Sequence, residues 1–298
     1  MLPLFGSSVQ ETSPADIFLR RLGELRGRFR LTKKKIHFTD IAGAKWTIFD
    51  LGVRLIADML VDALRQRNCT QFSSPLCFKL AVMLYPDTDD RGMYGGGSDQ
   101  ERQLRHDETV LRMLLKGASH FLYDADDPVV VRRIISDGEP HHRHLDRDRV
   151  VRQLYADEGA GRTPLRAYVE FADDCEIKHL SSDHKDHDPE SQDAADAQFL
   201  QMVDLLLGAS LRAREAPERR WDSAPVVGGR VRSKKEVVAH PVRDMLCKRA
   251  RGRAFARSGH HRAFTFNQVV FTQEGPVFRS VPTFSLPAGG DEGDLRLL

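Results

Sequence analysis

The sequence is poor in the features that would assign a class at once. Its cysteines, Cys69, Cys77, Cys175 and Cys247, lie far apart and show neither the CxxC spacing of a zinc ribbon nor a disulfide framework. No apolar run reaches the length of a membrane span, and the first residues lack the charged and apolar regions of a signal peptide. We therefore expect reduced thiols in a cytoplasmic protein with no membrane segment.

The chain also lacks a strong overall charge, because its formal net charge is +2 over 298 residues. A hydrophobic fraction of 41% and a charged fraction of 30% are ordinary for a globular protein with a sizeable core. The distribution is uneven, since Asp and Glu concentrate in 86–200 while 212–262 is strongly basic. This asymmetry predicts an acidic centre beside a basic surface.

Helical and strand patterns alternate over residues 1–215, which predicts an α/β domain. Ser13 and Pro14 are typical of a helix start, and "KKKIHFTDI" reads as a strand followed by a turn. A basic C-terminal appendage over 216–285 and a disordered tail over 286–298 follow. Further strands are predicted over 76–85, 128–136, 164–172, 175–181 and 263–271.

One predicted helix, "DAQFLQMVDLLLGASLRA", carries a carboxylate in its most apolar part. At 3.6 residues per turn, Gln201, Asp204 and Gly208 lie on one line of this helix. A lone ionised Asp is costly to bury without partners. Either Asp204 faces water or pairs with an arginine near the helix end, or it is a metal ligand projected toward other acids.

The same stretch resembles the closing signature of a bacterial family named domain of unknown function 3800, L-Q-[LM]-[ATV]-D-L-[LI]-[LA]-G-A. The residues that match in place are Gln201, Asp204, Leu205, Gly208 and Ala209. Looser similarity extends to "LRGRFRLTKKKIHFTDI", to "VVVRRIISDG" and to "HLSSDHKDHDPESQ", so that the resemblance covers about residues 4–214.

The resemblance implies a ribonuclease H-like fold, with a mixed sheet flanked by helices. It also implies a nuclease whose acidic side chains hold Mg²⁺ or Mn²⁺, cations that prefer carboxylate oxygens. Two such ions about 4 Å apart can activate a water and stabilise the leaving oxygen of a phosphodiester. On this basis Asp137 and Asp204 are the expected metal ligands, with Glu139 and Asp183 near them as further catalytic acids.

The chain departs from the family at one point, because members open with a strand carrying Asp-Glu-Ser-Gly and this motif is absent here. The Asp of that motif is the expected first metal ligand. We therefore expect a metal-dependent nuclease that is inactive if no strand upstream supplies the acid. The alternative is a non-catalytic module on the same fold that binds nucleic acid or another partner.

Basic residues with interspersed aromatics follow the predicted domain. Neutralisation of phosphates by such cations drives nucleic-acid binding, although basic tails also occur on proteins without that role. The cations we expect to contact nucleic acid are Arg230, Arg232, Lys234 and Lys235.

Histidines supply the remaining candidates. His141, His142 and His144 follow Asp137 closely, so a zinc hydrolase is a third hypothesis and His142 is a candidate proton shuttle beside a metal site. A solvated loop explains the same residues. In "IHFTD", His37 and Asp40 either border the cleft or make structural hydrogen bonds.

Overall fold

The computed structural model of the chain describes residues 13–43, 45–65, 79–84, 97–122, 129–137, 142–156, 169–215, 233–250, 264–272 and 275–280. The helices are α1 (Pro14–Arg28), α2 (Ile48–Arg65), α3 (Asp99–Leu122), α4 (Arg147–Ala156), α5 (Gln192–Glu215) and α6 (Lys234–Ala250). The strands are β1 (Leu80–Leu84), β2 (Val129–Ser136), β3 (Val169–His179), β4 (Phe264–Thr272) and β5 (Gly275–Ser280). Short 3₁₀ turns occupy Phe38–Asp40, His142–His144 and His184–Asp186. Helices and strands are mixed along the chain, which confirms the broad α/β class.

Helix α1 begins where its sequence predicts. The Ser13 hydroxyl accepts a hydrogen bond from the Asp16 N–H (3.1 Å), and the Asp16 carboxylate accepts one from the Ser13 N–H (3.2 Å). This reciprocal capping box, with Pro14 in the first turn, satisfies donors that a helix start leaves open. A cap of this kind contributes about 1 kcal/mol.

The described strands form two sheets rather than the single mixed sheet expected. Strand β1 pairs in parallel with β4, and β4 pairs antiparallel with β5. Strands β2 and β3 form a separate parallel pair. The pairing of β2 with β3 shifts register, from Val131 opposite Phe171 to Arg133 opposite Glu176. That irregularity falls where the sequence had suggested two short strands in place of β3.

The main core lies between α1, α2, α5 and α6. Phe18 and Leu22 of α1, Ile56 of α2 and Leu205 of α5 are almost fully buried in it. A smaller cluster around Val150 joins α4 to the β2–β3 sheet, with Leu111 of α3 packed beside it. Apolar burial of this kind is the main stabilising term of a fold, at about 25 cal/mol per Å² removed from water.

Helix α6, which the sequence did not predict, belongs to the main core. Its side chains Val238, Ala239, Val242 and Met245 are buried in the same cluster as those of α1, α2 and α5. Together with the pairing of β4 on β1, this places much of the segment expected to be a separate appendage over 216–285 inside the packed unit. Charged residues and the internal Pro241 hide the helical pattern of α6 in the sequence.

Two remaining expectations concern the membrane and the tail. None of the helices in the described ranges combines the length and apolarity needed to cross a bilayer. The predicted tail, 286–298, lies outside the described residues.

Candidate functional site

The line of Gln201, Asp204 and Gly208 on α5 faces one stretch of chain, Leu31–Ile41, which we call the docked segment. This stretch follows α1 and contains neither a regular helix nor a strand apart from the 3₁₀ turn at Phe38–Asp40. Gln201 contacts its middle, and Asp204 and Gly208 contact residues 37 and 38.

Gln201 is only 1% exposed, and both ends of its amide are used. Its Oε1 accepts hydrogen bonds from Arg26 Nη2 (2.7 Å) and from the Ile36 N–H (2.9 Å). Its Nε2 donates to the Ser182 carbonyl (2.6 Å) and faces His184 Nδ1 (3.1 Å). Gln201 therefore joins α1, the docked segment and the loop before α5 through one fully satisfied buried group.

Arg26 also holds the docked segment. It is 3% exposed, and its Nη1 donates to the carbonyls of Leu31 (3.3 Å) and Lys34 (2.9 Å). Burial lowers the pKa of Arg26 to about 10, although the nearby Asp183 opposes that shift. The sequence shows a signal that we missed, since Arg26 follows Phe18 and Leu22 at spacings of four on the apolar face of α1.

Asp204 is one-third exposed, and its two oxygens have different partners. Oδ2 accepts a hydrogen bond from the Phe38 N–H (3.0 Å), and Oδ1 lies 3.3 Å from His37 Nε2. His37 Nδ1 accepts from the Thr39 N–H (3.2 Å), so a neutral His37 ring carries its proton on Nε2 and donates it to Asp204. The pairing with an arginine considered from sequence is thus replaced by a pairing with His37.

Gly208 leaves room for the aromatic ring of the docked segment. A Cβ atom at this position would lie 2.4 Å from Phe38 Cγ and 2.5 Å from Phe38 Cβ. Phe38 is 7% exposed and fills that space. The line of Gln201, Asp204 and Gly208 therefore positions one short segment: Gln201 binds residue 36, Asp204 binds residue 38, and Gly208 accommodates the ring of residue 38.

Asp183 lies in the loop that Gln201 contacts, but its carboxylate is engaged locally. Lys185 Nζ lies 3.1 Å from Asp183 Oδ2, and the Lys185 N–H donates to Oδ1 (3.2 Å). Partial burial raises the pKa of Asp183, but the hydrogen bonds and charge of Lys185 outweigh it and hold the pKa below its usual value. Asp183 is therefore an ionised, lysine-paired group next to the docked segment.

Asp137 follows β2 directly, as predicted, and is 49% exposed. Its Oδ1 lies 3.4 Å from His142 Nδ1. Burial lowers the pKa of His179 at the end of β3, and the nearby charges of His142 and Arg143 lower it further. The neighbourhood of Asp137 therefore contains basic side chains. Glu139 and His141 lie outside the described residues, and His142–His144 form an exposed or half-exposed 3₁₀ turn.

The described acids do not fit a divalent ion on their own. Asp137 is next to His142, Asp183 pairs with Lys185, and Asp204 is shared by Phe38 and His37. Within the part of the chain that the structure describes, no group of three or more His, Cys, Asp or Glu residues is arranged to hold a metal. Hard cations need several oxygen ligands around one point.

The predicted nucleic-acid contacts fall into two groups. Arg230 and Arg232 lie outside the described residues. Lys234, whose side chain is 5% exposed, donates from Nζ to Asp50 Oδ2 (2.6 Å) and to the Ala42 carbonyl (2.8 Å). Burial raises the pKa of Asp50, but hydrogen bonds from Lys234 and Thr47 outweigh it and keep the pKa below its usual value. Lys234 thus fastens α6 to α2 and does not face solvent.

Lys235 is half-buried and has a different environment. Its Nζ lies 5.6 Å from the centre of the Phe38 ring. Lys235 is therefore placed beside Phe38 of the docked segment. This position was not foreseen, because the sequence gives no sign that residues 38 and 235 meet.

Comparisons of the chain with protein-family models, with curated proteins and with solved structures found no match.

Proposed function

We propose that this protein binds nucleic acid and hydrolyses its phosphodiester bonds, on the ribonuclease H-like fold that the family resemblance implies. The observation that carries the proposal is the pair of His37 and Asp204. Their side chains are 36% and 33% exposed and lie 3.3 Å apart, and Lys235 Nζ lies 5.6 Å from the ring centre of Phe38, the residue after His37. A solvent-facing carboxylate–imidazole pair suits proton transfer in a reaction on a phosphate group.

In this proposal His37 is the proton-handling group. Its Nδ1, the nitrogen without a proton in the neutral ring, accepts from the Thr39 N–H and lies 2.6 Å from Thr39 Oγ1, so it would have to release the Thr39 N–H in order to take up a proton. The carboxylate of Asp204 would then stay beside the imidazolium and stabilise its charge, as in other Asp–His pairs. Phe38 fixes Asp204 through its N–H, which keeps the carboxylate in place.

The resemblance adds a requirement for Mg²⁺ or Mn²⁺, with Asp137 and Asp204 at the ion and Glu139 and Asp183 near it. An ion of this type would supply a water nucleophile and charge stabilisation. What the described residues themselves support is narrower: they hold an accessible carboxylate and an imidazole side by side, and the acids among them are not gathered around one point.

A second candidate is a non-catalytic module that binds nucleic acid. It is favoured by the use of Asp204 as a structural acceptor for the Phe38 N–H and by the separate partners of Asp137 and Asp183. On this hypothesis Asp204 holds the docked segment in place, and none of the three acids acts on substrate.

End-labelled DNA and RNA, single- and double-stranded, should separate the two candidates when incubated with the full chain in Mg²⁺, Mn²⁺ or EDTA. We expect cleavage that depends on the ion. Asp204→Asn and His37→Gln should each lower the rate by about a hundredfold or more, because both belong to the pair that carries the proposal. Asp137→Asn tests the metal requirement that the resemblance implies, and an unchanged rate in it would remove Asp137 from the site. His106→Gln, a substitution on α3, is the matched control and should keep the wild-type rate. Binding without cleavage under every condition would leave the non-catalytic module.

A further inference from the structure

We propose that the docked segment is the phosphate-binding element of this protein, and that Arg30 and Lys33–Lys35 hold the backbone of nucleic acid beside Asp204. The inference rests on the nucleic-acid part of the proposed function. It adds the identity of the cations that make the contact, which the sequence had placed at residues 230–235.

The docked segment is held in place by side chains of other elements, although it is not a regular helix or a strand. Arg26 binds its carbonyls at residues 31 and 34, and His184 Nε2 donates to the Thr32 carbonyl (2.9 Å). Gln201 and Asp204 bind its N–H groups at residues 36 and 38. A backbone tied down from three elements pays little additional ordering cost when its side chains bind a ligand.

The docked segment buries its apolar side chains and exposes its lysines. Leu31, Ile36, Phe38 and Ile41 are buried in the main core, with exposures of 1%, 0%, 7% and 1%. In contrast, Lys33 and Lys34 are exposed and Lys35 is half-buried. The fixed backbone therefore displays a run of lysines toward solvent.

Within the described ranges, the charges of Lys33–Lys35 are not compensated by neighbouring acids. Lys33 and Lys35 have no carboxylate partner among the residues that the structure describes, and Lys34 Nζ lies 5.6 Å from the centre of the Phe49 ring. Other lysines of the chain are paired, for example Lys178 with Asp193 and Lys185 with Asp183. Adjacent cations without acidic partners attract the phosphate groups of a nucleic-acid backbone.

Arg30 lies at the turn between α1 and the docked segment. Arg30 has φ 55°, in the left-handed region, and its N–H donates to the Gly27 carbonyl (3.2 Å) while the Leu31 N–H donates to the Arg26 carbonyl (2.7 Å). This is a Schellman helix end, whose left-handed position is usually glycine. An exposed arginine at this position accepts backbone strain and adds a fourth cation next to Lys33–Lys35.

The test is the salt dependence of binding, measured by fluorescence anisotropy in EDTA with labelled DNA of about 20 nucleotides, single-stranded and duplex. The variant Lys33→Gln/Lys34→Gln/Lys35→Gln removes the run. The matched control, Arg20→Gln/Arg21→Gln/Arg132→Gln, removes the same charge from exposed positions on α1 and β2. We expect the slope of log K against log[KCl] to fall by about 2 to 3 in the lysine variant, because each phosphate contact contributes about 0.7 to 0.9. The control should change it by less than about 0.5.

Equal losses of slope in the two variants, or an unchanged slope in the lysine variant, would overturn the inference, as would a wild-type chain that binds neither probe. The cleavage assay separates this failure from failure of the proposed function. If the lysine variant loses slope but no ion supports cleavage, the docked segment still binds phosphate and the proposed nuclease activity is wrong. If cleavage depends on the ion but the slope of the lysine variant is unchanged, the proposed nuclease activity stands and the docked segment is not the phosphate-binding element.

Discussion

Asp204 and Asp137 were predicted to share one metal site, yet they lie in different kinds of surroundings. Asp204 projects from a core helix, accepts a backbone hydrogen bond from Phe38 and pairs with His37. Asp137 stands at the open end of β2, half-exposed, next to His142. The same residue type therefore has a positioning task in one region and a solvent-facing location in the other. Stability and activity should respond differently to substitution in the two regions.

The largest effect is expected at Gln201, which binds the docked segment. Gln201→Met would leave the Ile36 N–H, the Ser182 carbonyl and the buried Arg26 guanidinium without their partner. Unsatisfied buried groups of this kind should lower the free energy of unfolding by about 3 kcal/mol, or roughly 10 °C in melting temperature. Gln198→Met, at a half-exposed position of the same helix for which no hydrogen bond is seen within the described residues, should cost less than about 1 kcal/mol. Similar losses in urea titrations of the two variants would contradict the special position of Gln201.

A smaller loss is expected where the docked segment approaches the helix backbone. Gly208→Ala places a Cβ about 2.4 Å from Phe38 Cγ, so it should destabilise the fold by about 1 to 3 kcal/mol in spite of the better helix propensity of Ala. Gly23→Ala is the matched control, because nothing lies within 4 Å of its added Cβ. That control should stabilise the protein by about 0.5 to 1 kcal/mol. Thermal melts in which both variants shift the same way would show that Phe38 does not pack on Gly208.

The comparison of the two acids can be made directly with alanine. Asp204→Ala removes the acceptor of the Phe38 N–H and should cost about 1 to 2 kcal/mol, whereas Asp137→Ala should stay within about 0.5 kcal/mol. Chemical denaturation at neutral pH measures both. An Asp137 variant at least as destabilised as the Asp204 variant would reverse the assignment of roles.

The smallest effect is expected at the helix end. Arg30→Gly relieves the left-handed backbone of Arg30 and should raise the free energy of unfolding by about 0.5 to 1 kcal/mol. The same substitution removes one cation, so the slope of nucleic-acid binding against salt should fall by about 0.7 to 0.9. A gain in stability with no loss of slope would mean that Arg30 faces away from the ligand.

The sequence predicted the elements that have strong local signals. The cap at Ser13, the strand that ends before Asp137 and the alignment of Gln201, Asp204 and Gly208 all follow from short-range spacing. What this line would face could not be predicted, because Ile36 lies 165 positions from Gln201 and Phe38 lies 166 positions from Asp204.

Charge was the least reliable guide to position. Lys234 and Arg26 are cations that the sequence would place at the surface, but both are buried. Lys234 donates to the Asp50 carboxylate, and Arg26 donates to backbone carbonyls of the docked segment. Helix α6 was missed for a related reason, since its apolar residues are dispersed among Lys, Arg and an internal proline. Tertiary partners decide such positions, and they are not visible in local composition.

Amide hydrogen exchange of Ile36 and Phe38 in the wild-type protein tests the docking of Leu31–Ile41 on α5 most directly. Both N–H groups lie outside regular helix and strand, yet each is bonded to a side chain of α5. We expect protection factors of about 10³ or more for both amides, with protection at Ile36 lost in Gln201→Met. Exchange of both wild-type amides at the rate of an unstructured loop would show that Gln201 and Asp204 do not hold this segment.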